Sequence, residues 1–179
     1  MSSETSLRKH QCIPFLDTNK GASESYTWKR IDKSTIFSLN PNPQTNTLDY
    51  ICFEAPVTEV DHYEPELPQE IVMNAGNEMY EFIYDQFYGL PVGEEAKVPC
   101  LICYPPNAAG EQKAWLVKDT VLQLGEMNTV ERKISFTLHL GGDITRGTYT
   151  VAAGVPTFEA ASASGASGAS GTPGATGNP

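Results

Sequence analysis

The stretch Arg132-Lys-Ile-Ser-Phe-Thr-Leu-His-Leu140 carries the pattern that decides the fold. Apolar side chains occupy every second position from Ile134 to Leu140, and polar side chains occupy the positions between them. This period of two is the period of a β-strand with one buried and one exposed face. The pattern therefore predicts a half-buried strand and a sheet that covers a hydrophobic core.

Short apolar or alternating segments lie on both sides of this strand and predict further strands. After the central strand, Gly141-Gly-Asp143 predicts a turn, from which Thr148–Val151 runs back. The prolines in Asn40–Gln44 predict a turn or an extended loop. The other predicted strands are 26–31, 36–39, 48–53, 97–104, 113–124 and 155–158.

One segment, Asn77–Tyr88, has the pattern of a helix. Asn77 is a favourable N-cap, and Gly89 with Pro91 ends the segment. Its apolar residues recur at helical spacing and predict core packing against a sheet: Met79, Phe82, Ile83 and Phe87. One helix among about eight short strands predicts a mainly β fold, a two-sheet sandwich or barrel with a single flanking helix.

Residues 54–70 combine three prolines with six acids and predict a long extended loop rather than a helix or a central strand. Long loops with apolar anchors inside a compact domain are usually functional. A partner surface is the natural way to bury the apolar residues of this loop, which are Pro56, Val57, Val60, Tyr63 and Leu67.

The formal net charge is −10, and its distribution is uneven. From Ser34 to Ala96 there are twelve acids and no lysine or arginine. A protein that grips nucleic acid presents basic charge, so this composition argues against tight DNA binding. Two interpretations remain open, a solvated acidic face that keeps the protein soluble and a surface past which DNA moves without sticking.

The sequence contains no motif for catalysis or for a cofactor. Phosphate loops, nucleophile elbows and paired zinc-binding histidines are absent, and the three histidines fall on separate predicted elements. Cys100 and Cys103 form a C-x-x-C, but no second ligand pair accompanies them and their context predicts a buried strand. We therefore expect no enzyme activity, no cofactor, no metal and four reduced thiols.

The chain divides into three parts. We expect residues 1–9 to form an N-terminal arm and residues 10–160 to form the β domain. Residues 161–179, with glycine at every third position from Gly165, are expected to form a flexible tail. A collagen-like contact of the tail is the alternative. The beginning of the chain lacks the pattern of a secretory signal and no apolar run is long enough for a membrane span, so we expect cytoplasmic production without a membrane role.

Two segments resemble the major tail tube proteins of long, non-contractile-tailed (siphovirus-type) bacteriophages. The first runs from Asn42 to Ile51 and on through Thr58–Pro68, and the second comprises Leu138–Val151 with Pro156-Thr-Phe158. The predicted helix matches the helix that follows the long loop in that family. The resemblance covers about residues 35–160.

The resemblance implies a structural protein of the virion tail, assembled in the host cytoplasm. Six copies would close into a ring by joining sheets edge to edge, and rings would stack into a tube through which DNA passes. The long loop would reach the neighbouring ring, and acids of the same segment would line the lumen: Glu54, Glu59, Asp61, Glu64, Glu66 and Glu70. The implied partners are other copies, the tape-measure protein, the tail-tip protein and the tail-terminator protein.

Two alternatives stay open at this point. A tail terminator, or a tube protein of a contractile or secretion machine, would share the fold. A β-sandwich module that binds carbohydrate or a host surface would need exposed aromatic residues on one face, whereas Trp28 and Trp115 fall in predicted strands and are expected in the core.

Overall fold

The computed structural model describes residues 11–22 and 25–161. The predicted N-terminal arm and, apart from Ala161, the predicted tail lie outside the described residues. The described chain has one α-helix, α1, and a short 3-10 helix at Gly93–Ala96. The strands are β1 Ile13–Asp17, β2 Trp28–Arg30, β3 Pro43–Leu48, β4 Val57–Tyr63, β5 Glu66–Val72, β6 Cys100–Cys103, β7 Lys113–Asn128, β8 Lys133–Ala152 and β9 Val155–Ala160, and α1 spans Glu78–Gly89.

Seven strands form one antiparallel, barrel-like sheet that is nearly closed. Their order is β2-β1-β6-β7-β8-β5, and β9 pairs with β8 beyond the end of β5. β3 and β4 form a separate two-stranded sheet. The predicted fold class, mainly β with two sheets and one helix, is confirmed.

The central strand is longer than its alternating pattern predicted. β8 runs for 20 residues without a turn at 141–143. At this place the pairing between β7 and β8 shifts its register instead, and Asp119 pairs with Gly141. Gly142 has a φ of +70° there, so the two glycines serve an irregularity in the ladder rather than a reversal of the chain. The reversal comes at Ala153-Gly154, whose φ values are both positive, as a tight hairpin into β9 requires.

The prediction that residues 54–70 form a loop is wrong for most of its length, because β4 and much of β5 lie within it. β5 pairs with β8 from Glu66↔His139 to Val72↔Lys133. Backbone groups of Glu66, Glu70 and Val72 bond to residues 33–40 on the other side. Because backbone groups alternate sides along a strand, Pro68 also turns its nitrogen away from β8, so its missing N–H leaves that ladder intact.

The core forms between the barrel-like sheet and α1. Asn77 caps the helix by accepting a 2.9 Å hydrogen bond from the Tyr80 amide, as its sequence predicted. Met79 and Ile83 are buried against the inner face of the sheet, where the apolar side of β8 also lies. The two tryptophans that were expected in the core are partly buried in strands, Trp28 in β2 and Trp115 in β7.

Replacing Gly147 with alanine is expected to lower the free energy of unfolding by about 1–3 kcal/mol, the usual cost of overpacking a well-filled interior. A Cβ at Gly147 would lie 2.1 Å from the Glu159 carbonyl oxygen and 2.8 Å from the Phe158 ring, so β8 and β9 would have to separate. Urea denaturation of the two chains measures the difference.

The matched control is Gly89→Ala, because a Cβ at Gly89 meets no atom within 4 Å. We expect this variant to be as stable as the unsubstituted chain or slightly more stable. Equal stability of Gly147→Ala and Gly89→Ala would contradict the close pairing of β8 with β9.

Candidate assembly surfaces

Residues 43–63 form a hairpin arm, defined here as β3, β4 and the connecting tip of residues 49–56. The two strands pair with each other from Pro43↔Tyr63 to Leu48↔Val57 and with no other described strand. A ladder of six or seven residues carries the tip about 20 Å from the base of the arm. The arm is therefore a projection from the barrel and not part of its wall.

Backbone hydrogen bonds hold the base of the arm to the barrel. The Glu64 amide donates to the Asn42 carbonyl at 3.2 Å, and Asn40 and Glu66 exchange two bonds of 2.9 Å. Glu66 is the first residue of β5, so the arm continues directly from an edge of the main sheet. This connection fixes where the arm leaves the barrel.

The tip of the arm exposes large apolar side chains to solvent. Ile51 is fully exposed, Phe53 is 58% exposed and Tyr50 is 44% exposed. Tyr50 and Phe53 make an edge-on ring contact with centroids 6.0 Å apart, and the Phe53 amide donates to the Tyr50 carbonyl. Exposed apolar clusters of this kind mark interaction sites.

The sequence missed this tip, because it predicted residues 48–53 as a strand, whereas β3 ends at Leu48. Of the predicted contact residues, Pro56 lies in the tip and Val57, Val60 and Tyr63 lie on β4. Val60 and Tyr63 are at least half exposed and remain available to a partner. Leu67 was wrongly included, since it faces the core from β5 and is fully buried.

The six predicted lumen acids fall into two groups. Glu54, Glu59, Asp61 and Glu64 are exposed on the arm or at its base. Glu66 and Glu70 are partly buried on β5, where Glu66 accepts from Asn40 Nδ2 at 3.3 Å and Glu70 pairs with Lys133 Nζ at 2.7 Å. Hydrogen bonds from Lys133 and Thr35 hold the pKa of Glu70 below its ordinary value. Of the six acids, only Glu70 is therefore paired with a basic side chain of the described barrel.

His62 lies between two of these acids. Its Nδ1 is 2.7 Å from Asp61 Oδ2 and its Nε2 is 3.3 Å from Glu64 Oε1. The β3–β4 ladder shifts register here and leaves Asp61 without a partner on β3, so the neighbouring side chains of Asp61 and His62 come together. The hydrogen bonds to Asp61 and Glu64 raise the pKa of His62 above 6.5.

An NMR titration of His62 is expected to give a pKa above 6.5. Because the folded pKa is raised, the ion pairs are fully formed below the ordinary pKa and are lost as the pH rises through the raised value. Asp61→Asn and Glu64→Gln should each lower the pKa, whereas Glu59→Gln, which removes a carboxylate that does not contact the ring, should leave it unchanged. A His62 pKa at or below 6.5 in the unsubstituted chain would contradict this geometry.

Within residues 11–22 and 25–161, no three His, Cys, Asp or Glu side chains are placed to hold a metal ion. Cys100 and Cys103 are fully buried in β6, and burial raises the pKa of both thiols, that of Cys103 to about 12. His139 contacts Gln123 on the neighbouring strand.

No helix in the described residues has the length and apolar character needed to span a membrane.

A second exposed apolar patch lies at the end of α1. Tyr88, Leu90 and Val92 are each at least two-thirds exposed. Leu90 has the left-handed conformation, with φ +45°, that usually favours glycine at a helix end. The chain thus retains a large exposed side chain where a glycine would relieve backbone strain.

Comparison with known proteins identifies the fold. Neither a protein-family model nor a curated protein matches the chain. Among solved structures, it is similar to the PVC sheath/tube terminator, in the extended state, of an extracellular contractile injection system, with a TM-score of 0.51 and 11% identity over 80% of this chain and 97% of that chain. It is also similar to a chain of the anti-feeding prophage (AFP) baseplate, with a TM-score of 0.45 and 12% identity over 80% and 97% of the two chains.

At 11% identity the first likeness shows the fold alone. The second likeness is too weak to carry any argument. The chain therefore has a mainly β fold that also occurs in the tube terminator of an injection machine.

Proposed function

We propose that this protein is a non-enzymatic structural subunit of a phage-tail-like assembly, in which copies of the chain form rings. The observation that carries the proposal is the hairpin arm, a two-stranded projection whose tip exposes Tyr50, Ile51 and Phe53. An arm that contributes no strand to the barrel and keeps apolar residues in water is stabilised when a partner covers its tip.

An open sheet edge supports ring formation. In the described part of the chain, β9 pairs with β8 alone, so its other edge presents unpaired backbone groups. Exposed edges are templates for pairing with another chain, and a heterologous contact that closes on itself gives a ring. The proposed ring is a hexamer, as the resemblance to tail tube proteins implies.

The first placement of this ring is at the end of a tube, as a terminator. The fold likeness to the PVC sheath/tube terminator, which covers nearly all of that chain, supports this placement. A terminator closes a growing tube and contacts its last ring on one side. Its partners would then be a tube subunit and further copies of itself.

The second placement is within the tube, as the repeating subunit, and the acids of the arm favour it. Glu54, Glu59 and Asp61 are exposed on the arm and Glu64 is exposed at its base, in a segment without any lysine or arginine. A lumen lined by these acids would let DNA pass without binding it. In this placement the tape-measure, tail-tip and tail-terminator proteins are additional partners, and the protein resides in the virion tail.

Negative-stain electron microscopy of the concentrated protein separates the two placements. A terminator is expected to give single rings that do not stack, whereas a repeating subunit is expected to give hollow tubes. A particle without a central channel would contradict both placements. Binding of a glycan in a screen of host-surface carbohydrates, without any ring, would favour the binding-module alternative instead.

A further inference from the structure

A cleft of about 640 Å³ opens between β1 and the segment that follows β2. Cys12 and Ile13 line it together with Ile36 and Phe37, and Gln69 of β5 contributes to its lining. Ile36 and Phe37 are 42% and 41% exposed, so the cleft has an apolar wall in contact with solvent. None of the surfaces described above includes this cleft.

Gln69 is one of the residues that line the cleft, and its side chain has a buried acceptor without a partner. The side chain is 2% exposed, and its Nε2 donates to the Pro68 carbonyl at 2.7 Å. Its Oε1 has no hydrogen-bond partner within the part of the chain that the structure describes. A buried acceptor without a donor is destabilising, so a ligand whose N–H or O–H group meets the Gln69 amide, after that side chain rotates toward the cleft, would be favoured.

Arg30 adds a positive charge at the same place. Its side chain is exposed and has no acidic group within 4 Å among residues 11–22 and 25–161. Asp32, the acid of the cleft, already accepts hydrogen bonds of 3.0 and 3.2 Å from Asn77 Nδ2. The cleft thus suits a ligand with a carboxylate, apolar side chains and a hydrogen-bond donor.

We propose that this cleft receives the tip of the hairpin arm of a second copy of the chain, a contact that rests on the proposed ring-forming function. The tip offers Ile51 and Phe53 to the apolar wall, and Asp49 and Glu54 on either side of them to Arg30. Backbone N–H groups and the Tyr50 hydroxyl are its donors. Complementary charge and apolar surface together select this occupant.

Residues 1–10 precede the cleft in sequence, but they carry Arg8 and Lys9, whose charge has the same sign as that of Arg30. The acidic tip is the better match. Since each copy has one tip and one cleft, the contact is heterologous and joins copies head to tail. Such a contact can close a ring or continue from one ring to the next.

Two native cysteines allow this contact to be detected by disulfide formation. Cys52 is exposed in the tip and Cys12 is partly buried at the cleft. In assembled protein, 2,2′-dithiodipyridine converts the Cys52 thiol to a mixed disulfide and releases one pyridine-2-thione. The Cys12 thiolate of a docked copy then attacks the Cys52 sulfur and releases a second one. Because burial raises the pKa of Cys12, the exchange is run at about pH 9.

The expected result is a covalent ladder of dimers, trimers and longer chains on a non-reducing gel. Cys12→Ser and Cys52→Ser should each abolish the ladder. Assembled rings that give no ladder would overturn the docking proposal while leaving the ring-forming function intact. Covalent dimers that persist in the Cys12→Ser variant would also overturn it, because they would join Cys52 of one tip to Cys52 of another tip. A chain that never assembles contradicts both proposals.

Gln69→Leu gives an independent test with two readouts. Leucine removes the unsatisfied oxygen, so the unassembled variant is expected to have a higher Tm than the unsubstituted chain. The same change removes the acceptor for the incoming tip, so the concentration needed for assembly should rise several-fold. If Gln69 had only a structural role, its replacement would not raise the Tm and weaken assembly at the same time. Unchanged assembly by this variant would contradict a role of Gln69 in docking.

Discussion

A chain in which an Asn-Gly turn replaces residues 43–63 is expected to fold normally and to lose all ring and tube formation. The Glu64 amide already donates to the Asn42 carbonyl, so a two-residue turn can close the gap that the missing arm leaves. The barrel keeps its core because β3 and β4 contribute no strand to it. Circular dichroism and thermal unfolding report folding, and sizing chromatography with electron microscopy reports assembly.

The boundaries of this replacement matter. A deletion that continued to residue 68 would remove Leu67 from the core and three of the seven residues of β5 from the sheet, so loss of assembly would then only reflect unfolding. The matched control keeps the arm and changes Ile51 and Phe53 to serine, which removes the apolar tip alone. We expect it to assemble far more weakly than the unsubstituted chain. Rings from the armless chain would show that the arm is not the assembly surface.

Replacing Glu59, Asp61 and Glu64 with lysine is expected to convert an assembly that does not retain DNA into one that binds it. Each change replaces a negative charge with a positive one on an arm that contains no other basic residue except for His62. Binding to phosphates should weaken with salt, with a slope of log K against log salt of about −0.9 for each phosphate contacted. Fluorescence anisotropy of labelled duplex DNA over a salt series measures it.

The control for this variant places three lysines elsewhere, at Glu95, Glu126 and Asp143, which are all exposed. If the arm acids line the lumen, DNA that has been threaded through assembled tubes should be held by the arm lysines and released past the control lysines. Equal retention by the two variants would place the arm acids outside the lumen.

The sequence predicted those parts of the fold in which a local pattern has one physical interpretation. The alternation from Ile134 to Leu140 could be buried in only one register, and the Asn77 cap with its apolar stripe could form only a helix. The segment 98–104 was also predicted as a buried strand, and its central part, Cys100–Cys103, forms the buried β6, because an apolar run with two small cysteines suits an interior.

The errors came from residues that serve two purposes. Gly141 and Gly142 predict a turn, yet they lie within a continuous β8, because glycine also suits a shift of register. Pro68 argued against a sheet strand, but only the side to which its nitrogen points decides whether a ladder tolerates it.

The candidate site was harder to predict than the fold. An apolar run such as Tyr50-Ile-Cys-Phe53 has the same composition whether it packs in a core or forms an exposed contact surface. Leu67 and Val60 lie seven residues apart in one acidic, proline-rich segment, but one is buried and the other is half exposed. Only tertiary structure separates these two cases, since the exposure depends on which strand the segment joins.

Mass photometry of the purified full chain over a range of concentrations and salt tests the central claim most directly. The account predicts a closed ring of six 19.5-kDa copies whose population grows with concentration and with screening of the acidic charge. Monomers and dimers alone, at every concentration and salt, would contradict the claim that this protein is a ring-forming subunit.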